Sequence, residues 1–189
     1  MSRWVVLPGA VGDQREALVT ALREELAVAG PAGAWTVLPE GDVVGDVVGD
    51  PGEDEPGPDA VVRLVDAVVL RELGAEAAAH PALVRTAAQW REVMRAGPFA
   101  PGAAGVRQVL FLRDAPEPRL RRALVGRDWG GDQVVVRGRE VYLRYAGTVE
   151  GSLAQHGTVL RYLDGVGTAR DWDTVRAIGE ALAGALARP

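Results

Sequence analysis

His156 is the side chain best suited to moving protons near neutral pH, because the ordinary pKa of imidazole lies there. A helix over residues 150–163 would put it on one stripe with Leu153, Leu160 and Leu163, which predicts partial burial. Ser152 precedes it by four residues, the spacing at which helical side chains meet. The functional reading makes His156 a general acid or base with Ser152 as its partner. The structural reading makes it a core histidine bonded to backbone, with Ser152 capping the helix. A Ser–His pair without an identified acid or oxyanion hole falls short of a hydrolase triad.

Four further groups carry chemistry. Tyr142 and Arg144 alternate onto one strand face, with Tyr145 on the other; Tyr142 is a second proton-transfer candidate and Arg144 a guanidinium for a carboxylate. Asp171 and Asp173 flank Trp172 at a helix start. Asp171 reads either as an acid–base carboxylate or as an N-cap, and Trp172 as a stacking platform or a core anchor. Gly9 and Gly12 lie between a strand and a helix, where backbone amides can cradle phosphate. Their G-x-x-G spacing is neither a P-loop nor a dinucleotide fingerprint, and a tight turn explains it equally. His80 precedes Pro81 in a loop.

The rest of the alphabet narrows the chemistry. The 189 residues contain no cysteine and no lysine, so disulfides, zinc–thiolate sites, Schiff bases and a P-loop lysine are all excluded. We expect neither a metal nor a cofactor. Residues 1–84 hold 5 arginines and 15 acids, residues 85–189 hold 16 and 11, so −10 and +5 give the net −5. A net-acidic chain predicts no general nucleic-acid partner. The group Arg119, Arg121, Arg122 and Arg127 reads as a solvated helix face or a local anion patch. The short apolar run Trp4–Leu7 suits no signal segment and no stretch is long enough to span a membrane, so the expected location is cytoplasmic.

Elements that would position these residues follow from apolar periodicity and punctuation. Strands are predicted at 4–7, 35–38, 42–48 and 83–85, with helices from Asp13 to about Ala29 and from Asp59 to Leu73, stopped by Gly74. A linking helix follows, with Thr86 as N-cap and Gly97-Pro98 as stop. The second half repeats the order: strand 106–112, helix 116–125, a hairpin of 133–136 and 140–145 across Gly138, helix 150–163 and strand 168–170. A final helix from Asp173 carries Val175, Ile178, Leu182 and Leu186 on one stripe. The order β-α-β-β-α-β, met twice, predicts an α+β fold of two fused ferredoxin-like (split βαβ) half-domains with a linking helix and a C-terminal helix. The expected divisions are 1–85, 86–105 and 106–189.

Three segments resemble a known family. Val84-Arg85-Thr86-Ala87-Ala88 leading to Gly97-Pro98-Phe99 is similar to V-R-T-A-x…N-P-F. Gly138-Arg139-Glu140-Val141-Tyr142-Leu143 is similar to G-x-E-V-Y-L, and Arg170-Asp171-Trp172-Asp173-Thr174-Val175 to R-N-W-N-T-V. These are patterns of the family called domain of unknown function 1697, and the resemblance spans nearly the whole chain. It implies an α+β fold of two related halves and no particular activity. Departures concentrate elsewhere. Leu7-Pro8-Gly9-Ala10-Val11-Gly12 stands for the family's L-R-G-I-N-V-G-G, Glu40-Gly41-Asp42-Val43-Val44-Gly45 for S-G-N-V-V-F, and Gly151-Ser152-Leu153-Ala154-Gln155 for R-S-K-L-T. Glycines persist while an Arg, a Lys and several Asn are replaced.

The loss of family polar residues beside His156 predicts a repurposed site. The leading expectation is a cofactor-independent enzyme of specialised metabolism, doing acid–base chemistry on a small molecule with His156, Ser152, Tyr142 and Asp171. Arg144, Trp172, Gly9 and Gly12 would bind the substrate. The alternative expectation is a non-catalytic module that binds a small molecule or a carrier protein.

Overall fold

The structure, a computed structural model, describes residues 2–9, 14–29, 34–47, 58–99 and 105–184. The chain runs β1 (Ser2–Leu7), α1 (Arg15–Ala29), β2 (Trp35–Val37), β3 (Val43–Val47), α2 (Pro58–Ala78), β4 (Leu83–Thr86) and α3 (Ala87–Arg95). It continues β5 (Val106–Leu112), α4 (Pro118–Val125), β6 (Gln133–Arg137), β7 (Glu140–Tyr145), α5 (His156–Leu163), β8 (Gly167–Asp171) and α6 (Trp172–Gly184). Two four-stranded antiparallel sheets result, ordered β2-β3-β1-β4 and β6-β7-β5-β8. That is the split βαβ arrangement twice, the α+β fold the element order predicts.

Two compact units form, the first of them from two separate stretches of sequence. Met1–Arg91 joins Arg176–Pro189, while Glu92–Val175 makes the second unit. In the first, the face of β1 bearing Val6 packs against Leu18 and Leu22 of α1 and Val61, Val65 and Val68 of α2. Each such side chain contributes about 1.5–3 kcal/mol by leaving water. Alternation turns Arg3, Val5 and Leu7 to the opposite face. There Arg3 Nη1 donates to the Leu182 carbonyl of α6 at 2.7 Å. In the second unit, Leu110, Leu143 and Tyr145 pack with Leu124 of α4 and Val159 and Leu163 of α5. The other face carries Tyr142, whose hydroxyl donates to the Val93 carbonyl of α3 at 3.2 Å.

Local punctuation explains the boundaries. Thr86 and Gln89 form a reciprocal capping box at the start of α3: Gln89 N donates to Thr86 Oγ1 at 3.1 Å and Thr86 N to Gln89 Oε1 at 2.9 Å. Gly74, at φ 84° and ψ −178°, interrupts α2 where the sequence places its stop, and a further helical stretch follows to Ala78. Gly138, at φ 59°, turns the β6–β7 hairpin. The apolar stripe of α6 buries Val175, Ile178 and Leu182, while Leu186, like Asp13, lies outside the described residues.

One element departs from expectation. The helix predicted from residue 150 begins at His156, six residues late, and the preceding residues form turns. Asp132 causes this: its Oδ1 accepts from Ala146 N at 2.8 Å and its Oδ2 from Ser152 Oγ at 2.5 Å. Tying both ends of the 146–152 segment to one carboxylate holds it as a loop. Ser152 therefore does not cap α5, whose N-cap residue is Gln155.

Candidate functional site

The structure separates the predicted site residues of the second unit between opposite faces of its sheet. His156 and Ser152 belong to the side of α4 and α5. His156 is exposed as the first residue of α5, a correction to the expected partial burial that follows from the late helix start. Leu153, predicted on its stripe, is in the loop and exposed. Ser152 Oγ donates to Asp132 and accepts from Ala154 N at 2.8 Å, so it closes a turn. The i, i+4 helical spacing of Ser152 and His156 does not exist, because only His156 is helical.

Tyr142 and Arg144 lie on the other face with Trp172 near them through Arg107, whereas Asp171 ends β8 opposite Gln108, turned away from Tyr142 by alternation. Tyr142 is 2% exposed, and burial, followed by the charge of Glu140, pushes its hydroxyl up to about 12. The phenol is thus neutral at pH 7, with its proton directed at the Val93 carbonyl. Asp171 caps α6: Oδ1 accepts from Thr174 N at 2.8 Å and Oδ2 from Thr174 Oγ1 at 3.0 Å. Trp172 lies against Gly97, where a Cβ would stand 2.8 Å from the indole Cη2. Any side chain at Gly97 would displace the ring.

Two arginines absent from the predicted set complete this face. Arg107 of β5 lies opposite Arg144 of β7, and its guanidinium sits 5.8 Å from the Trp172 ring centroid. Arg144 Nε donates to Gln133 Oε1 at 3.1 Å. Arg170 of β8, opposite Val109, is 8% exposed and donates through Nη1 to Thr168 Oγ1 at 2.7 Å and the Ala169 carbonyl at 2.8 Å. Strand alternation turns Arg107, Arg144 and Arg170 to the Tyr142 face. Like charges directly opposite on adjacent strands are unfavourable by a few tenths to about 1 kcal/mol. The local signal for Arg107 was available: it alternates with Val109 and Phe111 on one strand face.

The first unit shows what this register position holds when it is closed internally. Val5 lies opposite Val44 and Arg85, as Val109 lies opposite Tyr142 and Arg170. Arg85 is 1% exposed and folds its Nη1 onto the preceding carbonyl of Val84 at 2.9 Å, just as Arg170 folds onto Ala169. Two residues before each valine stands an arginine. Arg3 faces Asp46 and bonds it at 2.6 Å; Arg107 faces another arginine.

Gly9 serves packing. A Cβ there would come within 1.8 Å of the His80 carbonyl oxygen, so the absent side chain makes room for a neighbouring backbone. Gly12 lies outside the described residues. A groove of about 380 Å³ between α1 and α2, lined by Glu25, Leu64, Val68 and Arg71 among others, contains none of the predicted site residues. Among the described residues no cluster of three or more His, Cys, Asp or Glu could hold a metal ion. No helix among them is long and apolar enough to cross a membrane.

Comparison with known proteins agrees with this architecture. The family described as "Protein of unknown function (DUF1697)" matches residues 1–142. A conserved bacterial protein from Streptococcus pneumoniae superposes with a TM-score of 0.62 at 12% identity, over 97% of this chain and 99% of that one. A likeness at that identity speaks to fold alone. No curated protein matches the sequence.

Proposed function

Taking as premise that the chain belongs to the DUF1697 family, we propose that it is a non-catalytic binding module for a small organic anion. The ligand, a carboxylate or phosphate ester, would be held by Arg107 and Arg144 beside Trp172. One observation carries the reading: two arginines stand opposite each other in strand register at the position where the first unit holds an arginine–aspartate pair. An anion between them turns a repulsive pair into a clamp, and guanidinium forks suit the two oxygens of a carboxylate or phosphate. Gly97, Tyr142 and Trp172, one from each segment of the family resemblance, build the surroundings.

The binding reading outweighs the acid–base enzyme because none of the predicted proton carriers stands ready beside the arginines. Tyr142 keeps its proton to about pH 12, Asp171 is committed to its helix cap, and His156 begins a helix on the opposite face of the sheet. Recognition here needs no cofactor and fits a cytoplasmic metabolite sensor or carrier.

Thermal unfolding with phosphate, citrate and benzoate as probes tests it. A ligand at about 100 times its Kd adds roughly 2.7 kcal/mol, which for this chain length raises Tm by roughly 5–10 °C. Arg144→Asp, which recreates the pair of the first unit, should abolish the shift, and His156→Ala should leave it intact. A shift that survives Arg144→Asp but disappears in His156→Ala would sink the proposal and restore the catalytic reading.

A further inference from the structure

On the opposite side of the second unit, Arg127 is held at the surface against two aromatic rings that touch each other. Its guanidinium lies 5.0 Å from the Trp129 ring centroid and 4.8 Å from that of Tyr162, and Nη1 donates to the Tyr162 hydroxyl. The rings meet edge to face at 5.7 Å and 75°. Trp129 is buried and donates Nε1 to the Leu124 carbonyl at 2.9 Å, which anchors the stack to the end of α4. An arginine held this way loses little conformational freedom when it meets a partner.

Apolar groups surround it. Six large apolar side chains are strongly exposed among the described residues, and three of them are here: Val125 at 51%, Leu153 at 57% and Tyr162 at 37%. Leu153 reaches across the turn to within 3.6 Å of the Cβ position of Gly130. The charge is one-sided as well. Residues 118–128 contain Arg119, Arg121, Arg122 and Arg127 and the single acid Asp128, whose Oδ1 accepts from Gly130 N, with Glu117 just before them. Arg121 is turned inward to the Val136 carbonyl at 3.0 Å, whereas Arg119 and Arg122 lie on the exposed side of α4 with Val125.

We propose that this patch docks an acidic amphipathic segment of a partner protein, its apolar residues on Val125, Leu153 and Tyr162 and its carboxylates on Arg122 and Arg127. Charge complementarity selects the partner. An extended polyanion would meet the repulsion of a chain carrying net −5, and phosphates offer nothing to three exposed apolar groups. A short acidic segment needs only the local field, which reaches about 10 Å in physiological salt. Tyrosine and arginine, here Tyr162 and Arg127, are also among the residues enriched at energetically dominant interface positions.

The probe is a short fluorescein-labelled helical peptide with leucines on one face and glutamates on the other, titrated with the whole protein and followed by anisotropy. Saturable binding is expected. Leu153→Asp and Arg127→Gln should each weaken it about tenfold, while Arg91→Gln, outside the patch, should bind as the unaltered chain does. Leu153 is exposed, so its replacement leaves the core untouched. Absence of saturable binding overturns the proposal, as does an equal loss in Arg91→Gln, which would mean charge alone. Sedimentation of a dimer that Leu153→Asp dissociates overturns it too, since the patch would then belong to a second copy.

Discussion

The Arg3–Asp46 pair of the first unit and the Arg107–Arg144 pair of the second occupy the same register around the same buried valine and arginine. Around them the two units agree closely: a capped helix follows each edge strand, and each buried arginine folds onto its own preceding carbonyl. The fold therefore accepts a long cationic side chain at this position, and the residue opposite decides its use. An aspartate makes the arginine a structural tie, which here also bonds the Leu182 carbonyl. An arginine there sets two cationic side chains opposite each other in register, Arg107 beside an indole and Arg144 bonded to Gln133. One unit pairs the arginine at this position with an aspartate, and the other sets a second arginine opposite it.

The largest expected contrast between the units is at alkaline pH. All three tyrosines lie in Glu92–Val175, and burial raises both Tyr142 and Tyr145 to about 12. A raised folded pKa means that the stabilisation is complete below the unfolded value near 10 and is lost as pH climbs through 12. Each tyrosine then forfeits roughly 2–3 kcal/mol. Valine methyl NMR signals should show the second unit loosening first, with Val136 and Val141 losing dispersion before Val6 and Val65. The reverse order would break the contrast.

Arg3→Ala against Arg107→Ala comes next. Losing Arg3 strands Asp46, at 17% side-chain exposure, and frees the Leu182 carbonyl, so urea unfolding should show a loss of about 2 kcal/mol. Losing Arg107 removes a like-charge opposition and should be neutral or slightly stabilising. Equal losses would mean that Arg107 is as structural as Arg3. The smallest effect is that of Arg144→Asp, which should raise the unliganded protein by up to about 1 kcal/mol, an increment that salt erodes. A destabilised Arg144→Asp would show that the register analogy does not extend to energetics.

What the sequence disclosed and what it withheld have a common physical cause. Thr86 with Gln89, Gly138 and the stripe Val175, Ile178, Leu182 act through neighbours within a few positions, and all are where periodicity and capping place them. His156 was misplaced because the start of α5 is set by Asp132, some twenty residues away. Leu153 satisfied a helical stripe that the tethered loop never forms. The Arg107–Arg144 opposition depends on a strand register between residues 37 apart in sequence, and no local pattern encodes it. Tyr142 and Trp172 were legible as candidates from alternation and from a helix start, but the hydroxyl contact to Val93 required the fold.

The bond from Arg3 to Leu182 joins residues 179 positions apart. On a ribosome adding about 5–20 residues per second, the roughly 85 residues between Arg91 and Arg176 take several seconds to make. Throughout that interval Arg3 of the nascent first sheet lacks the Leu182 carbonyl that it bonds in the finished chain. A folding helper that shields one sheet face for those seconds would protect this chain where one acting on the finished molecule would not, and slow codons placed after residue 91 would lengthen its exposure.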